Sequence, residues 1–461
     1  MWGVVIRQPI GFGGAILRAE DRQRRGKIVV LPQYATPPGG APGLLHSAHR
    51  AGLRGETPAL HPVVRPHVAR KRPEGALSPS TEAPALSPGM DSIRTTRLES
   101  WNGPADLGAQ WNGLLERSPG CSVFQSFPWH VSWWRAFGDS HELFLILAHS
   151  GTRLVGIAPM MVCRDRGANG QARRRLHFIG STNHASDYCD FIVDPAVPEA
   201  LDAMLEAVCA GGEGLSRVDL SHFPGHSPNQ ARTREFFESR GERVAVDFEA
   251  AAPVRMLGDR QADLKAANKS SLKRHAAYFR KAGDLRFHRC ASEAEMLGYL
   301  EPFFEQHRAR WAQSDTPSQF LDPAQQDFYR NLVRELLPHG WLRFDVVLFN
   351  GAPLAFHFGF EYRRRFLWYK SAFDMQLASR SPGEVLIKLL LEDAIHRQLE
   401  EFDFTAGSEA FKYRFANRVR SNSRLIVFRS AADYWLSRGK SLLKAALGRN
   451  AAARSGQPAP I

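Results

Sequence analysis

Among 461 residues there are five cysteines: Cys121, Cys163, Cys189, Cys209 and Cys290. No two have the spacing of a metal knuckle, and an odd number cannot close into a complete disulfide framework. A reducing, cytoplasmic compartment is the expectation. Long apolar runs are missing too; none approaches the roughly 20 residues of a membrane span. The chain has no His-Glu-x-x-His, no Gly-x-Ser-x-Gly elbow, no Walker loop and no helix-turn-helix pattern. That removes zinc-protease, serine-hydrolase, P-loop and simple DNA-reader chemistry. His184, Asp187 and Asp190 are close in sequence. Polar residues are commonplace in loops, and no metal is expected.

Charge of one sign is in surplus, with a formal net charge of +13. Twelve Lys or Arg face five Asp or Glu in residues 1–89, so that segment supplies seven of the thirteen. The other 372 residues supply six, an ordinary value that does not call for nucleic acid. Residues 1–89 also hold twelve of the 29 prolines and lack sustained periodicity. Such a stretch cannot bury enough apolar surface to offset its ordering entropy. The expectation is a disordered, Pro-rich basic extension, or a stretch upstream of the true start at Met90.

From residue 93 the pattern is that of a folded chain. Strands are expected at 144–148, 154–162, 176–179, 188–193, 217–220 and 423–428, and a basic loop at 164–175. Helices are expected at 124–137, 198–209, 233–240, 296–314, 323–337 and 435–447, with a basic one at 266–281. Asn350-Gly351 between apolar runs signals a hairpin over 344–362. The stretch LFLILAHSGTRLVGIAPMMV at 143–162 matches RFDVVLFNGAPLAFHFGFEY at 343–362, two hundred residues on. LSRVDLSHF at 215 likewise matches LEEFDFTAG at 399. Two copies of one α/β unit explain both matches.

The rest of the chain is organised around residues 366–415. An aromatic strand at 366–373 leads through Ser379-Arg380-Ser381-Pro382-Gly383 into a helix. Ile387, Leu391, Ile395 and Leu399 recur there every four residues. A short strand follows at 402–405, which makes a strand–helix–strand crossover with parallel or mixed pairing. Pro and Gly at the mouth of a helix leave backbone N–H groups pointing outward at its positive end, where phosphate is attracted.

Arg380-Ser381-Pro382-Gly383-Glu384 resembles the Arg/Gln-x-x-Gly-x loop of the GNAT acyltransferases. Val385 stands where that loop more often has Gly or Ala. The longer pattern of Ser-Pro-Gly, amphipathic helix, Phe402-Asp403-Phe404, Gly407 and Lys412 resembles the FemABX-like branch over about residues 90–430. Within that branch it is similar to CelD-type acetyltransferases of cellulose and exopolysaccharide production. The resemblance implies an α/β fold of mixed sheets with two tandem GNAT-like domains, at 90–255 and 256–430, and a basic helix with a frayed tail at 431–461. It implies acetyl-CoA as acyl donor, with Arg380, Ser381, Pro382, Gly383, Glu384 and Val385 around its pyrophosphate. The thioester would lie where strands 366–373 and 402–405 splay. Tyr369, Lys370, Asp403 and Lys412 can reach that gap, and His357 on the preceding strand is a candidate base. An acceptor amine or hydroxyl, on a small molecule or sugar, would enter between the domains past residues 164–175 and 183–190. Two other readings stay open. One is a Fem-type transferase using aminoacyl-tRNA. The other is a scaffold for a polysaccharide synthase, associated peripherally with the membrane through residues 435–447.

Overall fold

The computed structural model describes residues 92–101, 103–118, 120–166, 170–183, 185–312 and 316–439. The readings for 1–89 and for residues beyond 439 fall outside these. The first half of the chain runs β1 (Ile93–Leu98), α1 (Leu107–Arg117), α2 (Phe127–Phe137), β2 (His141–Ser150), β3 (Arg153–Arg166), β4 (Ala172–Phe178), β5 (Ile192–Val193), α3 (Ala200–Gly211), β6 (Leu215–Pro224), α4 (Pro228–Ser239) and β7 (Arg243–Met256). The second half runs α5 (Arg260–Ala267), α6 (Ser270–Ala282), β8 (Leu285–Arg289), α7 (Glu293–Trp311), α8 (Pro323–Leu336), β9 (Leu342–Phe349), β10 (Ala352–Tyr362), β11 (Arg365–Phe373), α9 (Pro382–His396), β12 (Glu401–Asp403), α10 (Ala410–Tyr413) and β13 (Arg418–Phe428). Residues 431–439 are helical.

All thirteen strands join one mixed sheet in the order β1-β2-β3-β4-β6-β13-β7-β12-β11-β10-β9-β8, with β5 paired to β3. Read from either edge inward, the order repeats: three antiparallel links, the second and third of them hairpins, then a strand joined in parallel to the next. This is the internal duplication seen at 143–162 and 343–362. The last strand of each half crosses over. β13 lies between β6 and β7, and β7 pairs with β12. The result is a mixed α/β fold on one large sheet.

Helices cover both faces. α2, α7 and α8 pack on one face through Trp129, Phe303, Phe328 and Tyr329. α9, with α5 and α6, covers the other face of β9–β12 through Leu386, Leu390 and Phe402. α2 starts at Phe127, three residues later than expected, because the Ser126 hydroxyl accepts the Trp129 N–H and Pro128 sits in the first turn.

Four local expectations are corrected. The strand expected at 188–193 is only β5, Ile192–Val193. Residues 164–175 are not a loop throughout, since β3 runs to Arg166 and β4 begins at Ala172. The basic helix at 266–281 breaks at Asn268 and Lys269 into α5 and α6. β7 was not expected: Val244, Val246 and Phe248 alternate as a strand should, but Ala250-Ala251-Ala252 is a weak strand former. It is held by partners on both sides.

Candidate active site

β11 and β12 pair in parallel over three positions, Arg365 with Glu401, Phe366 with Phe402 and Leu367 with Asp403. Beyond Asp403 they part. The chain after β12 follows β7, where Phe404 N–H donates to Pro253 O (3.0 Å) and Gly407 N–H to Ala251 O (2.8 Å). β11 stays with β10 to Phe373. β11 also bulges: Trp368 and Tyr369 together face Gly359. An extra residue in one strand bends it and increases its twist.

The N-terminus of α9 lies beyond the far end of β11. Ser381 adopts left-handed backbone (φ 58°), Pro382 is the first helical residue, and Gly383 follows. A Cβ on Gly383 would lie 3.3 Å from the Phe373 ring, so the helix mouth is tight against β11. The Arg380 guanidinium stacks 4.5 Å over Tyr278. Glu384 pairs with Arg414 (2.5 Å) and lies 3.4 Å from His275. Val385 is fully buried against the sheet, so its side chain stays out of the loop's outer face.

A small cavity lies at the closed end of the opening. Asp190, Asp403, Tyr188, Tyr362, Arg365 and Arg420 line it, and its volume of about 30 Å³ suits one or two waters. The Tyr188 hydroxyl sits 2.8 and 2.9 Å from the two Asp403 oxygens, and Thr405 N–H donates to Oδ1 at 2.7 Å. Burial, with the nearby Glu401 charge, pushes the Asp403 carboxyl up to about 7. Burial also pushes Asp190 up to about 7, against hydrogen bonds from Ser227 and Asn229. Arg420 is held by a double hydrogen bond to Glu401 (2.6 Å each). The buried Tyr362 hydroxyl has no hydrogen-bond partner among the described residues.

Residues 185–190 are fastened to this end from several sides. Tyr369 Oη donates to Ala185 O (2.6 Å), Asn422 to Asp187 O (2.6 Å) and Gln125 to Tyr188 O (2.7 Å). The first half of the chain thereby delivers Tyr188 and Asp190 to strands of the second.

The residues singled out from sequence do not form one cluster. Asp403 lines the cavity. Tyr369 is on the same face of the sheet, with its hydroxyl taken by Ala185. Lys412 is buried, and its Nζ donates to Ala406 O (2.8 Å) and meets Glu409 (3.0 Å). His357 is fully buried and stacks on Phe366 and Trp368, on the α9 face. Sequence reasoning missed Tyr188, Tyr362, Arg365 and Arg420 individually, although the segment 183–190 was marked as a route to the site. Elsewhere, ligand atoms of His288, Cys290 and Glu295 lie within 4.8 Å of one another. That Glu295 carboxylate already accepts Ala291 N–H (2.8 Å) at the start of α7 and pairs with His288.

Residues 266–413 match the family model described as an acetyltransferase (GNAT) domain, a span that contains the helix mouth, the opening and Lys412. No curated protein matches the chain. Among solved structures, a crystal structure of FemX is similar at 9% identity, covering 71% of this chain and 98% of that one with a TM-score of 0.52. L-PGS from Bacillus licheniformis (12% identity, 74% and 96% coverage, TM-score 0.43) and a tandem GNAT protein from the clavulanic acid biosynthesis pathway (13%, 73% and 98%, 0.42) are also similar. The FemX likeness shows a shared fold.

Proposed function

We propose that this chain is an acyltransferase that moves an acyl group from acyl-CoA, acetyl-CoA first, to an amine or hydroxyl acceptor beside Asp403. One observation carries the reading. The sheet parts at Leu367 and Asp403, between a helix mouth suited to phosphate and a buried carboxyl that titrates near neutrality. A general base works best when its pKa lies near the working pH. Asp403 takes the acceptor's proton, directly or through a water in the cavity. The freed nucleophile attacks the thioester carbonyl, a backbone N–H of the opened strand steadies the oxyanion, and CoA thiolate leaves. Tyr188 orients Asp403. Holding donor and acceptor at one point supplies several kcal/mol of the rate.

On this reading residues 90–255 and 256–430 act as two domains, the second with the coenzyme loop and the first supplying Tyr188 and Asp190. The similarity to CelD-type proteins supports a role in polysaccharide or cell-envelope biosynthesis. Free thiols support a cytoplasmic location. Among the described residues no helix is long and apolar enough to cross a membrane. Exposed Trp435 and Leu436 support peripheral association with a membrane synthase. The FemX-like fold keeps aminoacyl-tRNA as the second donor reading, which demands strongly salt-dependent RNA binding.

Calorimetry with acetyl-CoA, longer acyl-CoAs and tRNA tests these readings. Gly383→Asp places a carboxylate where a phosphate would lie, and Asp is favourable in a first helical turn. The fold is expected to survive a shift of the Phe373 ring. Losing one or two phosphate contacts, on the order of 1.5–3 kcal/mol each, lowers affinity about ten- to a hundredfold per contact. Equal acetyl-CoA binding by both proteins would reduce the loop to a plain turn.

A further inference from the structure

We infer that His357 is a positioning residue: its imidazole accepts the N–H left unpaired by the β11 bulge and, with Thr405, fixes the backbone at the base of the strand opening. The inference rests on the reading that this opening takes an acyl-CoA thioester.

A bulge leaves backbone groups without ladder partners, and buried ones must find others. Here two side chains supply them, one from β10 and one from just past the end of β12. Thr405 Oγ1 donates to Trp368 O at 2.8 Å. Tyr369 N–H points at His357 Nε2 across 3.4 Å. The second contact is longer than the usual 2.9–3.0 Å and is therefore weak. The carbonyl of the same peptide faces Thr405 on the side of the opening, so the two contacts hold that peptide plane from both sides.

Acceptance at Nε2 decides the tautomer, because a neutral imidazole carries its one proton on the other nitrogen. Nδ1–H then faces Asp345 Oδ2, 3.8 Å away. Asp345 is held by Arg343 (3.0 Å) and Arg289 (3.3 Å). Burial keeps the ring neutral, against the pull of Asp345. Phe366 and Trp368 fix its plane, with centroids 4.9 and 5.0 Å away. Gly359 makes the reach possible, since a Cβ there would lie 2.3 Å from His357 Cε1 and 2.4 Å from Leu367 O. His357 and Gly359, two residues apart on β10, thus form one device against β11. Full burial on the face away from the cavity leaves His357 no contact with an acceptor, so it acts through Tyr369.

The test uses the whole chain with His357→Phe, which keeps a ring but removes the acceptor, and His357→Gln, which restores an oxygen near Nε2. In the wild type, nitrogen NMR of the imidazole is expected to show Nε2 unprotonated. In the Phe variant the Tyr369 amide is expected to exchange about tenfold faster or more, while neighbouring β10 amides keep their protection. CoA release by hydrolysis of acetyl-CoA, with water as the acetyl acceptor, is expected to fall about tenfold or more with acetyl-CoA affinity within about twofold, a loss confined to turnover. The Gln variant is expected to recover most of both. A protonated Nε2, or unchanged Tyr369 protection in the Phe variant, overturns the inference. A wild type that fails to bind acetyl-CoA overturns the acyl-CoA reading instead, and the NMR measurements still decide the hydrogen bond.

Discussion

Asp403 is a carboxyl that the fold prefers protonated. Its folded-state value is raised to about 7, first by burial and then by Glu401. The stabilisation from its protonated form is complete below the ordinary carboxylate value and is lost as pH rises through about 7. Asp190 behaves alike. Asp403→Asn should therefore flatten the fall in stability between pH 5 and 8, by on the order of a few kcal/mol. Melting curves of both proteins at the two pH values check this, and parallel falls would contradict it. Tyr188→Phe removes a donor to the charged carboxylate, so the Asp403 value should rise further, by roughly one pH unit for a hydrogen bond of ordinary strength. The acid limb of the pH–rate profile should move up with it. Asp403 was legible in the sequence through its family-like setting. Tyr188 was not, because its partnership spans 215 residues.

At the scale of elements, the strand–helix–strand unit formed as its periodicity demanded. The aromatic strand became β11, the four-residue repeat became α9 as far as Ile395, with Leu399 beyond its end, and Pro382 opened the helix. The Asn350-Gly351 turn closed β9 onto β10, with both residues at positive φ. The bulge in β11 was not readable, since it is a mismatch of register between two strands and neither sequence alone contains it. Gly359 is its trace. Gly359→Ala would drive a methyl into the His357 ring and Leu367 O, and overpacking of this kind costs about 1–3 kcal/mol. Denaturant unfolding should show that loss. A cost near zero would mean that the ring moves freely and the bulge is not fixed.

For the whole molecule, the exchange of β7 and β13 decides how stability is shared. β13 fills the place between β6 and β7, and β7 reaches β12. A chain cut after residue 416 would lose a strand from the middle of the sheet and leave the long edges of β6 and β7 exposed, a template for aggregation. It should unfold or aggregate rather than leave the first half intact. A soluble product with a cooperative melt would refute this. By itself the sequence determined the duplication, the crossover unit around α9, and the type of most elements, because these depend on periodicity and turn chemistry among near neighbours. Tertiary structure decided that the two copies share one sheet, that residues 185–190 of the first copy are fastened onto the opening in the second, and that two carboxyls there titrate near neutrality. Those outcomes depend on strand partners and on burial, which are set by residues hundreds of positions apart and leave no local pattern in the chain.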